Sequence, residues 1–178
     1  MDAELVAHKL HGKYGAPKSN ATEKFFWEGP KKAIPRPFRL WEEPIITVAA
    51  LARMHFDLGW PKHLLGMQSK DYGFDAACYL TDDATAEHIA CEVKANPAGL
   101  DLCIRNMIRF AANPDAPEPR SGDTRNAWKK VLALRTSRAP LFWALGPGRY
   151  EFVYRLRYDG DTISLDQATL EDLRYPSA

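Results

Sequence analysis

The chain has few of the features that mark disulfide-bonded, zinc-binding or membrane-spanning proteins. Only three of its 178 residues are cysteines, at positions 78, 91 and 103, with no CxxC spacing. An odd number at such spacing suits neither a disulfide framework nor a zinc site. No apolar run approaches the roughly 20 residues of a membrane span, and charged residues stand where a signal peptide has its apolar centre. We therefore expect a reduced, cytoplasmic protein with no membrane partner.

The chain also lacks an excess of charge of one sign. Its formal net charge is +1, so attraction to a polyanion such as nucleic acid must come from local patches. Residues 1–41 hold eight Lys or Arg against four acids, and we interpret them as a basic arm preceding a single domain, residues 42–178. Aromatic residues in this arm suit stacking on bases and suit packing on the domain or a partner subunit equally well: Phe25, Phe26, Trp27 and Phe38.

Hydrophobic periodicity predicts three helices in the domain. Apolar residues spaced three and four apart after Pro44 predict a first helix over about 44–58. Helical spacing returns over 97–112 and again over 124–135. A polar, proline-containing loop separates these last two helices.

Strand-like segments lie between and after these helices. A short apolar segment at 63–68 is followed by a β-hairpin predicted from segments 73–80 and 87–95, which the polar loop TDDAT separates. Two further strands are predicted within 140–156, around a turn at Gly146-Pro147-Gly148. The order of helix, three strands, helices and further strands predicts an α/β fold with a central mixed β-sheet flanked by helices.

Two charged residues interrupt the otherwise apolar strand HIACEVKANP. The two-residue period of a strand places Glu92 and Lys94 on the same face as Ala90. If the hairpin closes symmetrically around a four-residue loop, Ala77 lies opposite Ala90 and Asp75 lies opposite Glu92. Directly opposed Cβ atoms are only about 5 Å apart, so the pattern predicts two converging carboxylates with an ammonium group beside them.

Two poorly solvated carboxylates repel each other unless they share a proton or a cation. A hard divalent ion, Mg²⁺ by preference and Mn²⁺ as the alternative, would be held by oxygen ligands from Asp75, Glu92 and the Val93 carbonyl. Lys94 would then orient the attacking water or help to deprotonate it, and would stabilise charge developing on a phosphate. This set of groups suits hydrolysis of a phosphodiester bond.

The pattern of Asp75 on one strand and Glu92-Val93-Lys94 on the next resembles that of the PD-(D/E)xK nuclease superfamily. The resemblance covers roughly residues 42–145 and is one of motif and element order. It implies a restriction-endonuclease-like αβββαβ core and a metal-dependent nuclease, with DNA ahead of RNA as the expected substrate. Because a single metal site of this kind cuts one strand, cleavage of both strands would imply a homodimer.

The resemblance also implies roles for individual residues. Asp75 and Glu92 would be the metal ligands, and Lys94 would be the catalytic lysine. Many members of the superfamily carry a further Glu on the first core helix. Glu43, or alternatively Glu42, is the candidate for that position.

Basic residues on the two later helices are candidates for phosphate contacts: Arg105, Arg109, Lys129 and Lys130. The alternative is that they form ordinary solvated helix faces. For the motif itself, the alternative is an exposed ion pair between Glu92 and Lys94 on an edge strand, which would contribute little to stability. At the level of function, the alternative is a non-catalytic nucleic-acid-binding or assembly protein that retains a nuclease-like core.

Overall fold

The computed structural model describes residues 5–10, 12–28, 38–69 and 73–176. Five short strands come first: β1 (Ala7–Leu10), β2 (Lys13–Gly15), β3 (Glu23–Lys24), β4 (Phe26–Glu28) and β5 (Phe38–Leu40). The next elements are α1 (Glu42–Phe56), β6 (Leu65–Met67), β7 (Ala76–Cys78), β8 (Ile89–Val93), α2 (Pro97–Ala111) and α3 (Gly122–Ser137). The last are β9 (Leu141–Leu145), β10 (Glu151–Asp159) and β11 (Thr162–Ala168). From α1 onward the order of elements is the predicted one, and the helix expected over 44–58 begins and ends two residues earlier. The five strands before α1 lie in the segment interpreted as a basic arm and were not predicted.

A six-stranded sheet forms the centre, in the order β11-β10-β9-β8-β7-β6. Only β8 and β9 run parallel among these strands. α1 packs on one face, where its Leu51 and Met54 enter the first hydrophobic core. α2 and α3 pack on the other face and form a second core with Phe142 of β9. The α/β fold with a central mixed sheet flanked by helices is therefore confirmed.

Local sequence explains where the helices begin. Glu42 and Glu43 lie in the first turn of α1, where acidic side chains interact favourably with the helix dipole. α2 begins after Asn96, whose Oδ1 accepts a hydrogen bond of 2.8 Å from the Gly99 N–H, with Pro97 at the first helical position. None of the described helices combines the length and apolar character needed to cross a membrane.

The described part of the N-terminal segment packs on the central sheet. The Lys18 N–H donates to the Leu65 carbonyl at 3.0 Å, and the Met67 N–H donates to Ser19 Oγ at 2.9 Å. This segment covers β6, an edge strand whose backbone groups would otherwise be unpaired. A Cβ at Gly66 would lie 2.7 Å from the Lys18 carbonyl oxygen, so the close approach requires glycine.

Of the four aromatic residues predicted to stack on bases, Phe25 and Phe26 have described side chains, whereas the side chains of Trp27 and Phe38 lie outside the described part of the structure. Phe25 packs against the first core and contacts the Tyr14 ring with centroids 4.7 Å apart. Packing on the domain therefore accounts for Phe25. The predicted arm residues Lys31, Lys32 and Arg36 lie outside the described residues.

Candidate active site

The β7–β8 hairpin has the predicted register. Ala77 pairs with Ala90, and Ala76 pairs with Cys91. The same register continued by one residue sets Asp75 against Glu92. Asp75 Oδ2 accepts a hydrogen bond of 2.7 Å from the Val93 N–H, which fixes the carboxylate beside the motif strand.

Asp75 lies at a change in chain direction, whereas the sequence predicted a regular strand from residue 73. Phe74 belongs to the core under α2 and α3, while Ala76 belongs to the core under α1. Residues two apart on a regular strand share a face, so the chain bends at Asp75 and β7 starts only at Ala76. This bend places the Asp75 side chain at the junction of the two layers.

Glu92 is completely buried in the middle of the central sheet. β8 lies between β7 and β9, so the alternative of an exposed pair on an edge strand is wrong. Ala90, on the same strand face, packs in the core under α2 and α3. The Glu92 carboxylate therefore lies under that helical layer.

Two ammonium groups neutralise the buried carboxylate. Lys94 Nζ lies 2.5 Å from Glu92 Oε1, and Lys130 Nζ forms an ion pair with Glu92 Oε2. Lys94 Nζ also donates to the Val93 carbonyl at 3.2 Å. The Lys94 ammonium thus contacts two of the three groups that the sequence predicts as metal ligands.

Lys130 was expected to contact DNA, and the structure places it within the site. Its Nζ donates to the Gly73 carbonyl at 2.9 Å and lies 5.3 Å from the centre of the Phe74 ring. The position of Lys130 within the site could have been predicted from the helical spacing of residues along α3. Lys130 lies three residues after Ala127 and four before Leu134, which are both fully buried, so it shares the inward face of the helix.

These contacts shift the ionisation of all four groups. Burial, and then the negative charge of Glu92, raise the pKa of Asp75 to about 8, even though Lys130, Lys94 and the Val93 N–H act in the opposite direction. Burial disfavours ionisation of Glu92 too, but Lys130 and Lys94 outweigh it and lower its pKa. Burial likewise disfavours the charged form of each lysine, yet Glu92 raises the pKa of both ammonium groups.

Asp75 lines two separate clefts. The first, of about 560 Å³, lies beside the start of α1, and its walls include Trp41, Glu43 and Ala95. The second, of about 710 Å³, runs between α3 and the β7–β8 loop and reaches Glu92 and Lys94. Asp75 lines both clefts, so it is the point from which a bound molecule could extend in either direction.

The first cleft brings together acids from separate parts of the chain. Glu43 Oε1 accepts a hydrogen bond of 3.2 Å from the Ala95 N–H, just beyond the motif strand. Glu42 also lines this cleft, as does Glu23 of β3. Burial raises the pKa of Glu23, to which Glu43 adds through repulsion. No pattern in the sequence indicated Glu23, since only the packing of the N-terminal strands places it here.

Of the other residues predicted to contact phosphate, Lys129 lies in the second cleft, whereas Arg105 and Arg109 lie on the surface of α2. Lys129 is exposed and lines the second cleft. Arg105 and Arg109 are exposed on α2, and neither lines the two clefts. Arg109 covers the Phe110 ring, with its guanidinium carbon 4.5 Å from the ring centre. Lys129 is therefore the candidate that the geometry brings nearest to the site.

The donor atoms are of the kind that a hard divalent cation binds, but the described side chains do not form a complete metal site. Among the described side chains, no three His, Cys, Asp or Glu residues come together as a ready-made metal site. Asp75, Glu92 and the Val93 carbonyl nevertheless supply the oxygen donors that Mg²⁺ and Mn²⁺ prefer. The Lys94 ammonium lies against two of these donors, Glu92 Oε1 and the Val93 carbonyl.

No family model, no curated protein and no solved structure matches the chain. The relation to the PD-(D/E)xK superfamily therefore stays a hypothesis based on motif and element order.

Proposed function

We propose that the protein is a Mg²⁺-dependent nuclease that hydrolyses phosphodiester bonds in DNA. The observation that carries this proposal is that Asp75, Glu92 and Lys94 lie together on the wall of the second cleft, while Asp75 also lines the first. Burial also raises the pKa of the Asp75 carboxyl group to about 8. Strongly shifted ionisation in a cleft is a common property of functional sites.

Each residue has a role that follows from its position. Asp75, Glu92 and the Val93 carbonyl would hold the ion, with Glu43 beside them in the first cleft. The ion would supply Lewis-acid stabilisation of the phosphate and a water of lowered pKa. Because Glu92 raises the pKa of Lys94, the lysine stays charged at neutral pH. Its charge favours orienting the water and stabilising the phosphate over accepting a proton.

The two clefts offer complementary surfaces to a nucleic-acid strand. Lys129 on the wall of the second cleft is placed to contact a backbone phosphate. Trp41 in the first cleft has 42% of its surface exposed, although its backbone N–H is fixed by a 2.9 Å hydrogen bond to Phe25. Exposed aromatic rings on a fixed backbone suit base stacking. Since four carboxyl groups line this first cleft, it suits a base better than a phosphate.

Cleavage of labelled single-stranded and duplex DNA and RNA, with Mg²⁺, Mn²⁺ or EDTA, tests the proposal. Asp75→Asn and Lys94→Ala should each lower the cleavage rate by about 100-fold or more, as expected when a metal ligand or a charge-stabilising group is removed. Asp115→Asn and Lys62→Ala, at exposed positions outside both clefts, are the matched controls. Cleavage that persists in EDTA, or in Asp75→Asn, would refute the assignment.

A second candidate is a non-catalytic nucleic-acid-binding or assembly protein. The observation favouring it is that Lys94 and Lys130 together already neutralise Glu92, so the cluster can be stable without any metal. Under this proposal the wild type binds nucleic acid but cuts none of the substrates, and calorimetry detects no divalent ion.

A further inference from the structure

We infer that the two lysines on Glu92 have different tasks: Lys130 is its permanent counter-ion, and Lys94 is an exchangeable one that occupies the cation site until an ion binds. This inference rests on the proposed function, because it concerns the same site. Under this inference, binding of an ion releases the Lys94 ammonium from Glu92, and the ammonium is then free to contact the substrate.

The contacts of Lys130 make it a fixed partner. Its Nζ is held by Glu92 Oε2, by the Gly73 carbonyl at 2.9 Å and by the face of the Phe74 ring. Only 13% of its side chain is exposed. Two of these three contacts, Gly73 and Phe74, are not predicted metal ligands, so Lys130 keeps them when an ion binds to the other oxygen of Glu92.

Unlike the contacts of Lys130, the contacts of Lys94 are both to candidate metal ligands. Its Nζ contacts Glu92 Oε1 at 2.5 Å and the Val93 carbonyl at 3.2 Å, and both of these oxygens are candidate ligands. Its side chain is 28% exposed, about twice the fraction for Lys130. The Lys94 backbone N–H is anchored to the Leu145 carbonyl at 2.9 Å, so the side chain can turn toward the cleft without disturbing the sheet.

The Lys94 ammonium and a divalent cation would compete for the same oxygen atoms. An ammonium and a divalent cation cannot both lie against Glu92 Oε1 and the Val93 carbonyl, because they would repel each other and need the same lone pairs. Lys94 must therefore leave Glu92 when these oxygens bind an ion, while Lys130 keeps Oε2. The freed ammonium is then close to the bound ion and can contact a phosphate in the second cleft, which it also lines.

The test is the affinity for Mn²⁺ and Mg²⁺ alone, measured by calorimetry without nucleic acid. Lys94→Met removes the competing ammonium and keeps the apolar stem. A hydrogen bond to a charged group contributes about 1.5–3 kcal/mol, so the variant should bind the ion about 10- to 100-fold more tightly. The same variant should lose cleavage, so binding and activity change in opposite directions.

Two variants separate exchange from a general change of charge. Lys129→Met removes a positive charge from the same cleft without a contact to Glu92, and should tighten ion binding by less than about 3-fold, since it is exposed and screened. Lys130→Met should tighten it less than Lys94→Met does, because Lys94 then becomes the only counter-ion of Glu92. Equal affinities in Lys94→Met and wild type, or a larger gain in Lys130→Met, would overturn the inference.

Failure of the inference differs from failure of the proposed nuclease. If the wild type cuts DNA in a metal-dependent way but Lys94→Met binds the ion no more tightly, the nuclease stands and the exchange is refuted. If Lys94→Met binds the ion more tightly and no substrate is cut by the wild type, the exchange stands and the nuclease is refuted.

Discussion

The buried ion pair between Lys130 and Glu92 gives a prediction about folding that does not depend on catalysis. Lys130→Met removes the ammonium but keeps most of the apolar stem beside Phe74. One oxygen of a carboxylate with no exposure to solvent then loses its partner. Removing one member of a buried pair costs about 3–5 kcal/mol.

In this structure the expected loss of unfolding free energy is smaller, and it corresponds to a measurable decrease in Tm. Lys94 remains on the other oxygen at 2.5 Å, so we expect a loss of about 2–3 kcal/mol in the free energy of unfolding. For a chain of this length, each 1 kcal/mol shifts the Tm by about 2–4 °C, which gives a decrease of about 4–12 °C. Denaturant titration and thermal unfolding at neutral pH, without divalent ions, measure both quantities.

Two further variants decide whether the buried charge is the cause. Lys129→Met, at the neighbouring exposed position, should change stability by less than about 0.5 kcal/mol. Adding Glu92→Gln to Lys130→Met removes the uncompensated charge and should recover at least half of the lost stability. A cost below about 1 kcal/mol for Lys130→Met, or a double variant as unstable as the single one, would refute the reasoning.

Other predictions concern Asp75 and Trp41. Since burial raises the pKa of Asp75 to about 8, and the unfolded chain loses this proton near pH 3.9, the folded state binds more protons between these values. The contribution of Asp75 to stability therefore falls as pH rises from about 4 to 8. The fall in unfolding free energy between pH 5 and pH 8 should be smaller in Asp75→Asn than in wild type or Asp115→Asn, and an equal fall in all three would contradict the assignment. Trp41→Ala should weaken binding of a single-stranded oligonucleotide in EDTA by about 5-fold or more, because each stacked base contributes about 1–3 kcal/mol to binding. Phe56→Ala, at an aromatic ring that is 64% exposed on the far end of α1, is the control, and equal anisotropy titrations for the two variants would exclude stacking on Trp41.

Sequence periodicity determined the α/β order of elements and the hairpin that carries the motif. The register of Ala77 against Ala90 followed from strand alternation and the centre of the predicted loop, which are local properties. The predicted loop length was wrong, because the strands end at Cys78 and Ile89 and residues 79–88 connect them in place of four residues. The same reasoning set Asp75 against Glu92, because directly opposed positions on a hairpin are fixed once the loop is known. The apolar neighbours of Glu92 on β8 correctly indicated that its surroundings are buried.

Tertiary structure alone decided which groups surround that pair. Lys130 reaches Glu92 because α3 packs over the sheet, and Glu23 enters the first cleft because the N-terminal strands fold back. The bend that turns Phe74 and Ala76 to opposite faces likewise came from packing against two separate cores. Strand period and loop length act between neighbours in the chain, whereas charge pairing in a buried site depends on elements that meet only when the layers pack.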